Sequence, residues 1–149
     1  MRLSTKGRYA VMAMADLARR QDEPCRAVAL ADIATRQEIS LSYLEQLFAR
    51  LRRKGLVQSA RGPGGGYRLS RTAAETTIAD IVHAVDEPIR ATRCADSGAE
   101  KGKGCMLKGE RCLTHDLWDH LGDRIEDYLA SVSLADVISG RLRARRQAA

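Results

Sequence analysis

Aromatic residues are scarce: one Phe, one Trp and four Tyr make up only 4% of the 149-residue sequence, so aliphatic helices must supply most of any core. Long apolar runs are absent too. The longest, Tyr9 to Ala18, is broken by Asp16 and falls short of the roughly 18 residues of a membrane span, and no signal-peptide cleavage pattern follows it. These absences lead to the expectation of a soluble cytoplasmic protein with no membrane partner. No paired catalytic acid and base stand near the cysteines, and the His-x-Glu with Cys-x-x-Cys pattern of zinc deaminases is missing, so an enzyme is not expected. With 44% apolar and 30% charged residues the chain is no disordered polymer, and its length suits one domain with an appendage.

Charge is unevenly spread. Residues 1–71 hold 14 Lys+Arg against 6 Asp+Glu, residues 72–140 hold 7 against 13, and residues 141–149 hold 4 against none, within a net charge of +6. A basic first half followed by an acidic remainder implies that one part meets nucleic acid while the other does something else.

The apolar pattern of the first half is that of a winged helix. Ser4 and Thr5 can cap a helix running through Tyr9, Ala13 and Leu17 until the polar stretch Gln21 to Pro24. A second helix is predicted from Leu30 to about Arg36, and the brief turn Gln37, Glu38, Ile39 leads to Ser40, short enough for a helix-turn-helix. Leu44, Leu47, Phe48 and Leu51 then repeat at i, i+3, i+4, i+7 until Gly55 stops the helix. Its other face carries Ser42, Glu45, Gln46, Ala49, Arg50 and Arg53, a distribution that suits a recognition helix in the major groove. Leu56 to Ala60 and Tyr67 to Ser70 are strand candidates around Arg61-Gly62-Pro63-Gly64-Gly65-Gly66, whose glycines permit a hairpin tip and leave Arg61 unobstructed for a narrow minor groove. A phosphate-cradling loop would need a following Gly-Lys-Ser/Thr, and Tyr67-Arg68-Leu69 stands there instead. A core helix with a solvated basic face is the plainer alternative for the recognition helix.

In the second half, Thr77 to Asp80 reads as a capping box opening a short helix through Ile78, Ile81, Val82 and Val85, ended by Asp86-Glu87-Pro88. Trp118, Leu121, Ile125, Tyr128 and Val132, beside Leu117 and Leu129, follow coiled-coil spacing. Such a seam predicts a homodimer, and two recognition helices one helical turn apart read a palindromic operator in double-stranded DNA. Packing of the seam back on the first helix or the Ile78 helix is the alternative. The expected architecture is mainly α with a small β wing, a winged helix-turn-helix plus a long C-terminal dimerisation helix. The expected division is a DNA-binding domain over 1–86, a cysteine-rich loop over 87–112, a dimerisation helix with a short terminal helix over 113–140, and a basic, disordered tail over 141–149.

Three of the four cysteines, Cys94, Cys105 and Cys112, lie within 19 residues, and His115 follows. In a reducing cytoplasm such a cluster argues for metal or redox chemistry rather than disulfides. Thiolates with an imidazole suit zinc, copper(I) or an iron-sulfur cluster, and reactive free thiols remain an alternative. The two-residue gap between Cys112 and His115 lets both face one ligand, whereas the wider gaps match neither a zinc-finger knuckle nor a haem-attachment sequence. Cys25, His83 and His120 are assigned no role.

The opening Met1-Arg2-Leu3-Ser4-Thr5-Lys6-Gly7-Arg8-Tyr9-Ala10-Val11, the run Ile39 to Phe48, the wing Arg61 to Tyr67, Ala91-Thr92-Arg93-Cys94 and Cys112-Leu113-Thr114-His115 closely resemble the IscR-type iron-sulfur-cluster-sensing winged-helix regulators, over essentially residues 1–140. The resemblance implies a dimeric transcription factor, repressor or activator, holding a [2Fe-2S] cluster through Cys94, Cys105, Cys112 and His115 and receiving it from cluster assembly or carrier proteins. The Cys94 to Cys105 gap is wider than in the better-known members, through an insertion around Asp96 to Lys103; loop closure becomes costlier only slowly with length. Branches with a [4Fe-4S] cluster sense nitric oxide or iron, one of them through an aspartate ligand where this chain has Arg8, and the retained His115 favours the [2Fe-2S] type. For Glu45 the resemblance implies discrimination between operators. A carboxylate accepts from cytosine N4 and repels phosphate and other acceptors, with Ser42, Tyr43 and Gln46 contacting bases or phosphates beside it and Arg61 the minor groove. A cluster-free thiol-redox or nitric oxide/iron-responsive regulator of the same fold, and an iron-sulfur electron carrier, are the other readings.

Overall fold

The structure is a computed structural model, and it describes residues 5–21, 27–86, 106 and 110–142. The element order is α1 (Thr5–Arg20), α2 (Leu30–Gln37), α3 (Leu41–Arg53), β1 (Val57–Ala60), β2 (Gly66–Leu69), α4 (Ile78–Ala84), α5 (His115–Ser131) and α6 (Leu134–Ser139). Helices around a small antiparallel hairpin match the expected fold class.

One core gathers the apolar faces of nearly every element. Helix α1 contributes Ala10, Ala13, Met14 and Leu17, all fully buried, so its inward row runs through Ala10 and Met14 while Tyr9 sits half-buried on the flank. Helix α3 buries Leu44, Leu47, Phe48 and Leu51, the row its spacing predicts. Between them, α2 ends where Glu38 takes a left-handed conformation (φ 53°, ψ 42°), which turns the chain so that Ile39 anchors in the core. Ser40 then caps α3 by accepting from the Tyr43 N–H at 3.2 Å. An ion pair holds the α1–α2 angle: Arg36 Nε and Nη2 donate to the Asp16 carboxylate, the shortest contact at 2.7 Å. Donating these hydrogen bonds to the Asp16 carboxylate raises the Arg36 pKa above its ordinary value.

The hairpin pairs Val57 with Leu69, Gln58 with Arg68, Ser59 with Tyr67 and Ala60 with Gly66. Beyond the predicted strands, Val28 forms an isolated bridge to Tyr67, with paired backbone bonds of 2.9 and 2.8 Å. The Tyr67 ring meets Phe48 edge-on at 5.0 Å, so the wing is fastened both to the segment before α2 and to α3.

The C-terminal part folds back onto this unit. Thr77 caps α4 in a reciprocal capping box with Asp80, and Ser133 does the same for α6 with Asp136. Backbone bonds from Ile78 N–H to the Val132 carbonyl and from Leu134 N–H to the Thr76 carbonyl tie the two helix starts together. Val132 and Leu134 are buried among the winged-helix residues, so the end of the 113–140 segment shares the core of residues 5–86. Among the described residues no helix is long and apolar enough to cross a membrane.

Candidate functional site

The outer face of α3 presents Ser42, Glu45 and Gln46 to solvent, with Arg52 and Arg53 exposed farther along. Tyr43 is half-buried, its ring edge-on to Tyr9 at 6.1 Å, which leaves its side chain less accessible than those of its exposed neighbours. At the far side of the wing, Arg61 is exposed beside Gly62, whose φ of 96° forms the turn closed by the Gly65 N–H to Gly62 carbonyl bond of 2.8 Å. Gly66 is required for another reason. A Cβ there would lie 2.2 Å from the Val28 carbonyl oxygen, so only glycine lets β2 approach the bridge strand. Arg50 is engaged within the protein: its Nη1 donates to the Val85 carbonyl at 3.2 Å and to Asp86 Oδ2 at 2.8 Å. Nothing in the spacing of α3 distinguishes Arg50 from Arg53, and only the placement of α4 reveals that contact.

The seam of α5 divides between two surfaces. Ile125, Leu129 and Val132 face the core, while Leu117 and Tyr128, three turns apart on one stripe, are 61% and 57% exposed. His83, assigned no role from the sequence, joins α4 to α5 through a 2.7 Å contact between its Nε2 and Glu126 Oε1.

Of the expected cluster ligands, Cys94 and Cys105 lie outside the described residues. Cys112 and His115 are brought together at the start of α5, where the His115 N–H donates to the Cys112 carbonyl at 3.0 Å. His115 is buried, and its Nδ1 has no hydrogen-bond partner among the described residues. An unsatisfied buried ring nitrogen costs about 1–3 kcal/mol, unless an electron-pair acceptor occupies it. Beside it, Thr114 is occupied as an acceptor for the Trp118 indole N–H at 3.2 Å and lies 3.8 Å from the Cys112 sulfur. Among the described residues no group of three or more His, Cys, Asp or Glu side chains converges as a metal site.

A protein family described as "Rrf2: Iron-dependent Transcriptional regulator" matches residues 3–140. The chain belongs to the Rrf2 family. The HTH-type transcriptional regulator IscR of Photorhabdus laumondii is 55% identical over 141 residues, covering 95% of this chain and 81% of that protein. Its Escherichia coli O1:K1 / APEC counterpart is 49% identical over the same length, with 95% and 82% covered. Among solved structures, T. potens IscR superposes with a TM-score of 0.73 at 37% identity over 97% of this chain and 90% of that one. CymR, the global cysteine regulator of B. subtilis, gives 0.74 at 34% identity over 93% and 97%. This Rrf2 protein is thus an IscR-type, DNA-binding transcriptional regulator and not an enzyme.

Proposed function

We propose that this Rrf2 regulator reports iron-sulfur cluster supply in the cytoplasm by changing its affinity for, or choice among, palindromic operators. The observation that carries the reading is the buried, unpartnered Nδ1 of His115 one turn after Cys112. An imidazole and a cysteine sulfur three residues apart offer a donor pair suited to an iron-sulfur centre. Cys94, Cys105 and Cys112 with His115 would hold a [2Fe-2S] cluster, delivered by assembly or carrier proteins; bound there, the cluster would supply a one-electron redox centre. Three of the four side chains precede α5 in the stretch that follows α4, and His115 opens α5 itself. Ligation would tie the chain after α4 to the start of α5 and bias the regulator between two states with different operator affinity.

In this reading residues 1–86 read DNA, 87–112 sense, 113–140 dimerise and 141–149 form a basic tail. Ser42, Tyr43 and Gln46 meet bases or phosphates, Arg61 enters the minor groove, and Glu45 selects between operators. The exposed Leu117 and Tyr128 stripe supports a homodimer, because apolar side chains of that size on one helix face gain by mutual burial.

The test is anaerobic purification followed by an absorption spectrum and iron and sulfide counts. The wild type should be coloured, with Cys112→Ser and His115→Ala losing colour and iron while keeping the fold. A colourless, iron-free wild type that still binds its operator tightly would overturn the reading. Sedimentation of Leu117→Arg with Tyr128→Arg checks the dimer; a variant of wild-type mass and oligomeric state refutes that interface.

A further inference from the structure

The contact between the recognition helix and the end of α4 separates Arg50 from the rest of the α3 outer face. Arg50 stands eight residues after Ser42, about 12 Å along the helix axis and turned away by about 80°. The core row of α3 occupies the opposite side, which puts Arg50 on the flank. Its guanidinium is shared between the Val85 carbonyl and the Asp86 carboxylate. Val85 is the C-cap of α4, and Asp86 follows with a left-handed φ of 56°. A helix C-terminus carries partial negative charge, so the carbonyl end of α4 and Asp86 attract the same cation. The last turn of α4 also bears His83, held by Glu126 of α5. That turn therefore touches the recognition helix on one side and α5 on the other, at the point where the chain leaves for the cysteine-bearing segment.

We infer that Arg50 is a positioning residue rather than a DNA contact: by clasping Val85 and Asp86 it fixes the orientation of α3 against the end of α4 and so sets operator selectivity. A guanidinium already paired with Asp86 brings little net charge to a phosphate. What the clasp contributes is order. Released, α3 must be oriented when it meets its bases, and that cost falls on register-dependent base contacts, whereas the uniform attraction to phosphates is untouched. Both contacts are made by Nη1, so one end of the guanidinium serves carbonyl and carboxylate together.

The inference rests on DNA binding, and only its regulatory meaning rests on the cluster reading. The experiment therefore uses full-length, cluster-free protein. Arg50→Met, Asp86→Asn and the double variant are titrated against a duplex selected by the wild type from a random-sequence pool, and against a random duplex of equal length, over a salt series. Both single variants should bind the selected duplex about fivefold more weakly, a normal size for coupled sites. The double variant should be no weaker, because the two changes break one contact. Binding to the random duplex and the salt dependence should not move. A phosphate-contacting Arg50 gives the opposite pattern: Arg50→Met weakens both duplexes and lowers the salt slope by about one, while Asp86→Asn leaves binding unchanged or tighter. That pattern, or no effect of either variant on the selected duplex, overturns the inference. An iron-free wild type would overturn the sensing reading alone and leave this cycle intact.

Discussion

Replacing Gly66 by alanine tests how the wing is held. The added Cβ would lie 2.2 Å from the Val28 carbonyl oxygen and 2.4 Å from its carbon, both backbone atoms that cannot turn aside. Strand β2 must then withdraw, giving up the Val28 N–H to Tyr67 carbonyl bond of 2.9 Å and its reciprocal of 2.8 Å. Each contributes about 1 kcal/mol net, and an L residue held at the φ of 155° found here adds torsional strain of roughly 1–3 kcal/mol. The expected loss is about 3–5 kcal/mol, which for a chain of this size lowers Tm by about 10–15 °C. Because Tyr67 also leaves its place on Phe48, the wing loses its aim, and binding to a selected duplex should weaken more than binding to a random one. Gly64→Ala is the control. Its φ is 74° but the space beyond is open, so strain of about 1 kcal/mol is the whole cost. Thermal melting decides: Gly66→Ala within about 2 °C of wild type, or Gly64→Ala equally damaging, refutes the reasoning.

Arg36→Met leaves the 6%-exposed Asp16 carboxylate without its partner. Because Arg36 itself is 31% exposed and lets water in, the expected cost is about 2 kcal/mol, below the range for fully buried pairs. Asp16→Asn with Arg36→Met should recover most of it in thermal melting, and an unchanged single variant would refute the account. Glu75 accepts from the Thr72 hydroxyl and N–H, bonds that hold its carboxyl below the usual range. Its contribution is therefore present above the ordinary glutamate pKa and lost as pH falls through the lowered folded value. Glu75→Gln should flatten the acid limb of the melting profile, and an identical limb would contradict this. Glu45→Ala should widen the set of duplexes that cluster-free protein enriches from a random pool, and an unchanged set would remove Glu45 from operator selection.

Helix α3 was legible because its core row and outer face alternate at the helical period, and burial in water selects that period whatever the neighbouring elements are. The capping box at Thr77 and Asp80 was legible for the same local reason. The Val28 bridge carried no signal, since a single backbone pair has no side-chain pattern. Coiled-coil spacing in α5 could not say which residues face inward. The capping of α4 and α6 side by side turns Ile125, Leu129 and Val132 to the core and leaves Leu117 and Tyr128 outside.

The sequence by itself determined the helices, the wing and the excess of positive charge in the first half, because these depend on residue type and on spacing within a few turns. Tertiary structure alone decided that Arg50 clasps α4, that His83 meets Glu126, and that His115 is buried with an unpartnered nitrogen. Those facts depend on distances between elements 35 to 43 residues apart in the chain, or on what surrounds a side chain, and the one-dimensional pattern holds no record of either.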